Sequence, residues 1–182
     1  FDMHNPTQAS HAVLNGLVFV QAGARTAIYN MTSGVLSPFD LLHGDGPLEF
    51  WGSLLVDRPR GRLLYASNER ELDRIQLFAL DVASFHWTRL NTTNAPLSSP
   101  IWENGLRLHV VLARNRLFLA RSGQLWQLNL TTLAWTALPI SGSAPTALAA
   151  EVLSRSSPIT AACERPDGSA RLVLFGEAVH GS

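Results

Sequence analysis

Four times the chain places a short run of large apolar residues behind a turn: Leu17-Val18-Phe19-Val20, Leu63-Leu64-Tyr65-Ala66, Leu117-Phe118-Leu119-Ala120 and Leu172-Val173-Leu174-Phe175. Runs this short, bounded by Gly, Asn, Asp and Pro, read as strands rather than helices. A second motif follows the first. It reads Leu77-Phe78-Ala79-Leu80-Asp81 through Trp87-Thr88-Arg89-Leu90, and again Leu125-Trp126-Gln127-Leu128-Asn129 through Trp135-Thr136-Ala137-Leu138. In both copies the Trp follows the turn residue by six positions. A weaker copy, Ala27-Ile28-Tyr29-Asn30 through Val35-Leu36, keeps the Asn and puts Leu36 where Trp is expected. The chain is therefore one small module repeated, and such modules are stable only when stacked on their neighbours.

Turn chemistry divides each module into two hairpins. Asn15-Gly16 between apolar runs is among the strongest hairpin signals, and Asp57 to Gly61, Arg114-Asn115 and Arg165 to Gly168 occupy the corresponding place in the later modules. The second hairpins turn at Asn30 to Gly34, Asp81 to Ser84 and Asn129 to Thr132, where Asx and hydroxyl side chains bond the turn backbone. Loops rich in Pro, Ser and Gly separate the modules: His43 to Pro47, Asn91 to Pro100 and Ser141 to Ser157, the last with a short helix expected over Thr146 to Leu153. Repeats of about 40 to 50 residues made of short strands are the signature of β-propeller blades. The expectation is an all-β chain, a single propeller region over residues 1–182 with blade-like units near 8–45, 50–96, 104–140 and 157–182. Three units are complete four-stranded blades and the fourth is partial.

Composition narrows the function classes. At 182 residues, 46% hydrophobic and 15% charged, the chain is too apolar for disorder. Formal net charge is zero, so there is no electrostatic footprint for nucleic acid or an anionic membrane, and no apolar run reaches the roughly 18 residues of a membrane span. The first residue is Phe1, which sets the expectation of a processed or partial chain. All 14 basic residues are Arg, which removes Lys-dependent chemistry. The single cysteine, Cys163, excludes an internal disulfide and a thiolate metal cluster, and its apolar neighbours suit a small buried hydrophobe.

The stretch Pro6-Thr7-Gln8-Ala9-Ser10-His11-Ala12-Val13, the strand Leu17 to Gly23 and the hairpin Leu125 to Trp135 resemble Kelch-type repeats of β-propellers. The Gly pair that ends that strand in the family appears here only as Ala22-Gly23 and Phe175-Gly176, and as Ser67-Asn68 and Arg121-Ser122 elsewhere. Gly61 to Asn68 is equally similar to blades of lactonase-type propellers. The resemblance implies six or seven blades, hence a larger or assembled propeller. Residues Ile159 to Phe175 are then expected to pair with strands from outside the chain, supplied by missing sequence or an additional chain. A compact four-bladed ring, closed by Phe1 to Met3, is the alternative.

Three Asn residues carry the N-glycosylation pattern: Asn30-Met31-Thr32, Asn91-Thr92-Thr93 and Asn129-Leu130-Thr131. Asn30 and Asn129 fall in equivalent hairpin turns, where a glycan would be accommodated, and together they point to an extracellular or secreted protein.

Motifs that carry chemistry are few. There is no phosphate-binding loop, zinc-protease helix, nucleophile elbow or dinucleotide fingerprint, and no cofactor or metal is expected. His11 and His109 fall in first strands of different units, where either core hydrogen bonding or a shared axial ligand is open. His43-Gly44-Asp45-Gly46 reads as a turn or a weak ion-binding loop. Asp57, Glu69, Glu71 and Asp73 with Arg58, Arg60, Arg62, Arg70 and Arg74 read as a solvated, partly paired surface. The expected function is a non-catalytic interaction or structural module that presents loops to a protein or glycan partner, with Trp51, Trp102 and Phe50 as binding anchors. Two alternatives stand beside it: a propeller hydrolase or oxidase whose axial site is completed by further sequence, and a self-assembling extracellular subunit.

Overall fold

Strict alternation of side-chain direction decides which residues of a strand are buried, and β1 (Ser10–Leu14) shows it directly: Ala12 and Leu14 are buried while His11 and Val13 face solvent. The computed structural model describes residues 10–22, 25–37, 43–47, 52–69, 74–96, 110–113, 115–121, 124–139, 159–164 and 170–175. These residues are almost entirely β, with one 3-10 turn at Arg58–Arg60.

The strands form successive antiparallel meanders. Sheet A joins β1 to β2 (Leu17–Ala22), β3 (Arg25–Asn30) and β4 (Val35–Ser37) in chain order. Sheet B runs β6 (Gly52–Asp57), β7 (Arg62–Glu69), β8 (Arg74–Asp81) and β9 (His86–Leu90), with β5 (His43–Gly44) added beyond β9. Sheet C runs β10 (Val110–Ala113), β11 (Arg116–Arg121), β12 (Gln124–Asn129) and β13 (Ala134–Leu138). Sheet D is the pair β14 (Ile159–Glu164) and β15 (Ala170–Phe175). Both the expected short helix at Thr146 to Leu153 and the ring-closing segment Phe1 to Met3 lie outside the described residues.

Local chemistry explains the corners. Asn15 and Gly16 both take positive φ, 52° and 76°, the type I′ geometry that matches the twist of the strands they join. The three wider hairpins share one construction: four loop residues whose last member is left-handed, Gly34 (φ 69°), Phe85 (φ 54°) and Leu133 (φ 55°). At the loop head Asn30, Asp81 or Asn129 accepts backbone N–H bonds with its side-chain oxygen.

Packing follows from which faces are apolar. In β7 and β8, consecutive residues are buried (Leu63 to Ala66 and Leu77 to Leu80), so sheet B is apolar on both faces and must lie between two others. One face packs Leu63, Tyr65, Phe78, Leu80 and Trp87 against Ala12, Leu14, Phe19 and Ile28 of sheet A. The other packs Leu64, Ala66, Ile75, Leu77 and Ala79 against Leu117, Leu119, Leu128, Leu130 and Trp135 of sheet C. Each fully buried Leu here contributes roughly 1.5–3 kcal/mol of transfer free energy. First strands lie side by side in sequence, β1 against β6, β6 against β10 and β10 against β14. The Leu54 N–H donates to Ser10 Oγ at 2.8 Å, tying β6 to β1.

A second device links the sheets at their outer edges. The connection leaving sheet A does not remain a loop at His43 to Pro47: β5 pairs in parallel with β9, His43 opposite His86 and Gly44 opposite Trp87. The connection leaving sheet B repeats this, with Thr93 bridged in parallel to Ala134 and the Trp135 N–H donating to the Thr93 carbonyl at 3.0 Å. Gly44 is required where it stands, since its φ is 92° and a Cβ would lie 2.2 Å from the Trp87 carbonyl oxygen. In both places the incoming chain covers the edge of an outer strand that would otherwise be free to pair elsewhere.

Candidate functional site

The turns after β1, β6 and β10 and those after β3, β8 and β12 lie at the same end of their sheets, because the meanders are in register. Leu17 pairs with Asn30, Arg62 with Asp81 and Arg116 with Asn129. Backbone bonds tie neighbouring turns: the Met31 N–H donates to the Gly16 carbonyl at 3.0 Å and the Leu130 N–H to that of Asn115 at 2.9 Å. This end of the stack is a polar rim.

Two of the three sequon asparagines head rim hairpins. Asn30 Oδ1 accepts from the N–H groups of Thr32 (2.9 Å) and Ser33 (3.1 Å), and Asn129 Oδ1 accepts from those of Thr131 (2.8 Å) and Thr132 (3.3 Å). Both asparagines are half-buried, whereas Met31, Thr32, Thr131 and Thr132 beside them are exposed. Asn91 is exposed and sits on the connection from β9, two residues before the bridge at Thr93.

Asp81 occupies the third rim hairpin and is fully solvated. Its carboxyl is held below the usual carboxylate range, first by the Ser84 backbone N–H, then by the Ser84 hydroxyl, with the Ala83 N–H and nearby His86 adding to the effect. Asp81 Oδ1 accepts from Ala83 N (2.9 Å), Ser84 N (2.8 Å) and Ser84 Oγ (3.0 Å).

The mixed-charge stretch is not the uniformly solvated surface its composition implies. Asp57 is completely buried. Arg62 Nε donates to its Oδ2 at 2.9 Å, and Arg60 Nη1 lies 3.3 Å from both oxygens. Arg60 Nη2 also donates to Asn115 Oδ1, across to sheet C. Asn115 Nδ2 in turn donates to Thr131 Oγ1 and reaches Asn129 Oδ1 at 3.5 Å. A buried carboxylate thus anchors a polar chain ending at a sequon. Hairpin geometry was the signal: Asp57 and Arg62 flank Arg58-Pro59-Arg60-Gly61 as opposed strand residues. Glu69 lies at the end of β7, while Arg70, Glu71 and Asp73 fall outside the described residues.

Of the remaining sites expected from sequence, His11 and the His43 to Gly46 segment are among the described residues. His11 is exposed on β1 rather than in the core, and His109 lies outside the described residues. The expected anchors Phe50, Trp51 and Trp102 also lie outside them. In the His43 to Gly46 segment, the Asp45 N–H donates to the Trp87 carbonyl at 3.2 Å and the Gly46 N–H to that of Gly44 at 3.0 Å. Among the described residues no group of three His, Cys, Asp or Glu side chains could hold a metal ion, and no helix is long and apolar enough to cross a membrane.

No known family model matches the chain, and no curated protein matches it. Among solved structures it is similar to a xylan β-1,4-xylosidase from Bacillus halodurans at 12% identity and a TM-score of 0.45. That match covers 94% of this chain, which spans 38% of the length of the xylosidase.

Proposed function

We propose that the chain is a segment of a β-propeller, built of Kelch-like repeats, that acts as a non-catalytic extracellular glycoprotein module displaying its rim loops to a protein or glycan partner. The propeller reading is supported by the run of first strands β1, β6, β10 and β14 and by the burial of sheet B on both faces, since propeller blades stack radially with their first strands innermost. The Kelch-like reading rests on the recurring distance from turn head to Trp, Asp81 to Trp87 and Asn129 to Trp135.

One observation carries the glycoprotein reading. Asn30 and Asn129 hold the same position in the same type of hairpin, each with its Oδ1 fixed by the turn and exposed sequon residues after it. The mechanism is rigid display: packed sheets fix the hairpins, and affinity resides in loops whose ordering cost is already met by the fold. Material purified from its natural source is expected to lose mass on enzymatic release of N-linked sugar, with the modified sites mapping to Asn30, Asn129 and Asn91. An unchanged mass removes the extracellular assignment.

A further inference from the structure

Charge is spread unevenly along the rim of a chain whose formal net charge is zero. The rim turns of sheet A carry Asn15, Gly16, Met31, Thr32 and Ser33, none of them charged. Among the described residues, the rim of sheets B and C carries Arg58, Arg60, Arg62 and Arg116 against Asp57 and Asp81, four guanidinium groups to two carboxylates. Both carboxylates are already engaged. Asp57 is buried and bound to Arg60 and Arg62, and Asp81 is bonded within its own hairpin.

The four arginines differ in what they still offer. Arg60 donates through Nη1 to Asp57 and through Nη2 to Asn115, which fixes the β6–β7 turn beside the turn that ends at Arg116. Arg62 is held through Nε alone, so its two Nη groups keep their donors. Arg58, on the same 3-10 turn as Arg60, is exposed, and its side chain has no partner among the described residues. Arg116 is exposed and reaches Gln127 Oε1 at 3.5 Å. Asp57 therefore positions two of the guanidinium groups from below while leaving an excess of positive charge and unused donors at the surface.

We infer that this corner of the rim, Arg58 to Arg62 with Arg116, binds the acidic groups of a polysaccharide, a uronate carboxylate or a sulfate ester. A guanidinium presents paired N–H groups that match two oxygens of either anion. Because the fold already holds Arg60 and Arg62 in place, little ordering cost is left for the ligand to meet. The surroundings favour a sugar chain over a peptide. Exposed neighbours on the same rim are Ser84, Thr131 and Thr132, which suit hydroxyl-bearing units. The exposed large apolar residues among the described ones, Val13, Tyr29, Met31, Val35 and Leu36, all belong to sheet A, so a peptide would find no such side chain here to pack an apolar anchor against. The inference rests on the rim-display part of the proposed function, whose partner it gives a chemistry, and is independent of glycosylation.

The test is calorimetric titration of the chain made without glycans, so that its failure is separate from that of the mass measurement above. Polygalacturonate supplies carboxylates, dextran sulfate supplies sulfate esters, and unmodified dextran is the neutral control. At least one of the two acidic polymers is expected to bind at low ionic strength and to weaken at about 0.2 M salt, and the tighter of them identifies the anion recognised. Arg58→Gln and Arg116→Gln are each expected to raise the dissociation constant about fivefold with an unchanged far-UV circular dichroism spectrum. Arg74→Gln, an exposed arginine opposite Glu69 at the far end of sheet B from the rim, is expected to leave it unchanged. Binding of neither acidic polymer overturns the inference, and so does equal binding of unmodified dextran. An equal loss in Arg74→Gln means diffuse attraction to the whole surface and overturns the site. Tighter binding of poly-glutamate or of a single-stranded oligonucleotide than of either polysaccharide overturns the partner.

Discussion

Sheets A and B are the same meander in different surroundings. Sheet B has neighbours on both faces and β5 along its outer edge, and its third and fourth strands meet through Leu80 and Trp87, both buried. Sheet A has the same register, the same Asx-headed hairpin and an apolar pair at the same place, Tyr29 and Leu36, yet that pair is in solvent. The comparison shows that strand pairing and turn chemistry are sufficient to define the module, while its contribution to stability depends on what lies beside it.

The largest expected difference comes from truncating equivalent residues. Leu80→Ala is expected to destabilise the chain by about 3 kcal/mol, because a fully buried side chain leaves a cavity. Tyr29→Ala, read by urea denaturation at the lowest workable concentration, is expected to cost under about 0.5 kcal/mol. Equal costs would mean that the two sheets have equivalent surroundings and would break the comparison.

Next in size is Asp57, which sheet A lacks: Leu14 stands at the matching strand end. Asp57→Ala is expected to cost about 2–3 kcal/mol, since it removes charge-assisted bonds from Arg60 and Arg62, although both arginines can turn to water. Arg62→Lys should recover only part of the Arg62 contribution, because an ammonium cannot reproduce the guanidinium geometry. Urea denaturation measures both, and a neutral Asp57→Ala would sink the anchoring role.

Smaller again is Gly44→Ala, which forces a Cβ against the Trp87 backbone and destabilises by an expected ~1 kcal/mol or more. Its signature is local: the Asp45 amide should exchange faster, while amides in β2 and β3 are unchanged. The smallest effect separates the hairpin heads. The folded-state pKa of Asp81 is depressed, so its stabilising contribution is complete above the unfolded value of 3.8 and is lost as pH falls through the lower folded value. Asp81→Asn should remove that dependence, and the Asn30 and Asn129 hairpins, which do not titrate there, should show none. Proton-linked shifts of the three hairpins in NMR distinguish them.

The modules were legible in sequence wherever a local rule governs them. Asn15-Gly16 specified its own turn, and the apolar run of Leu63 to Ala66 specified a strand, whose burial on both faces the structure added. Both depend on residues adjacent in the chain. The parallel pairing of His43–Gly44 and of Thr93 could not be read in this way, because backbone bonding to a strand about 40 residues away leaves no side-chain pattern. Asp57 was misread for a related reason: composition shows charges near one another, but burial depends on the sheet that packs over them. For the sequons, sequence supplied the positions, and the fold added that two head the same rim while Asn129 is also tied through Asn115 to Arg60.

The bridge at Thr93 has a thermodynamic consequence. Part of the hydrogen bonding that holds the outer strand of sheet C comes from chain that has just left sheet B, and the outer strand of sheet B depends in the same way on chain from sheet A. Such an array behaves as a linear lattice with nearest-neighbour coupling, in which the free energy of each repeat includes a term conditional on the one before it. Opening sheet B would release an outer strand of sheet C, so local unfolding is expected to propagate in the direction of the polypeptide more readily than against it.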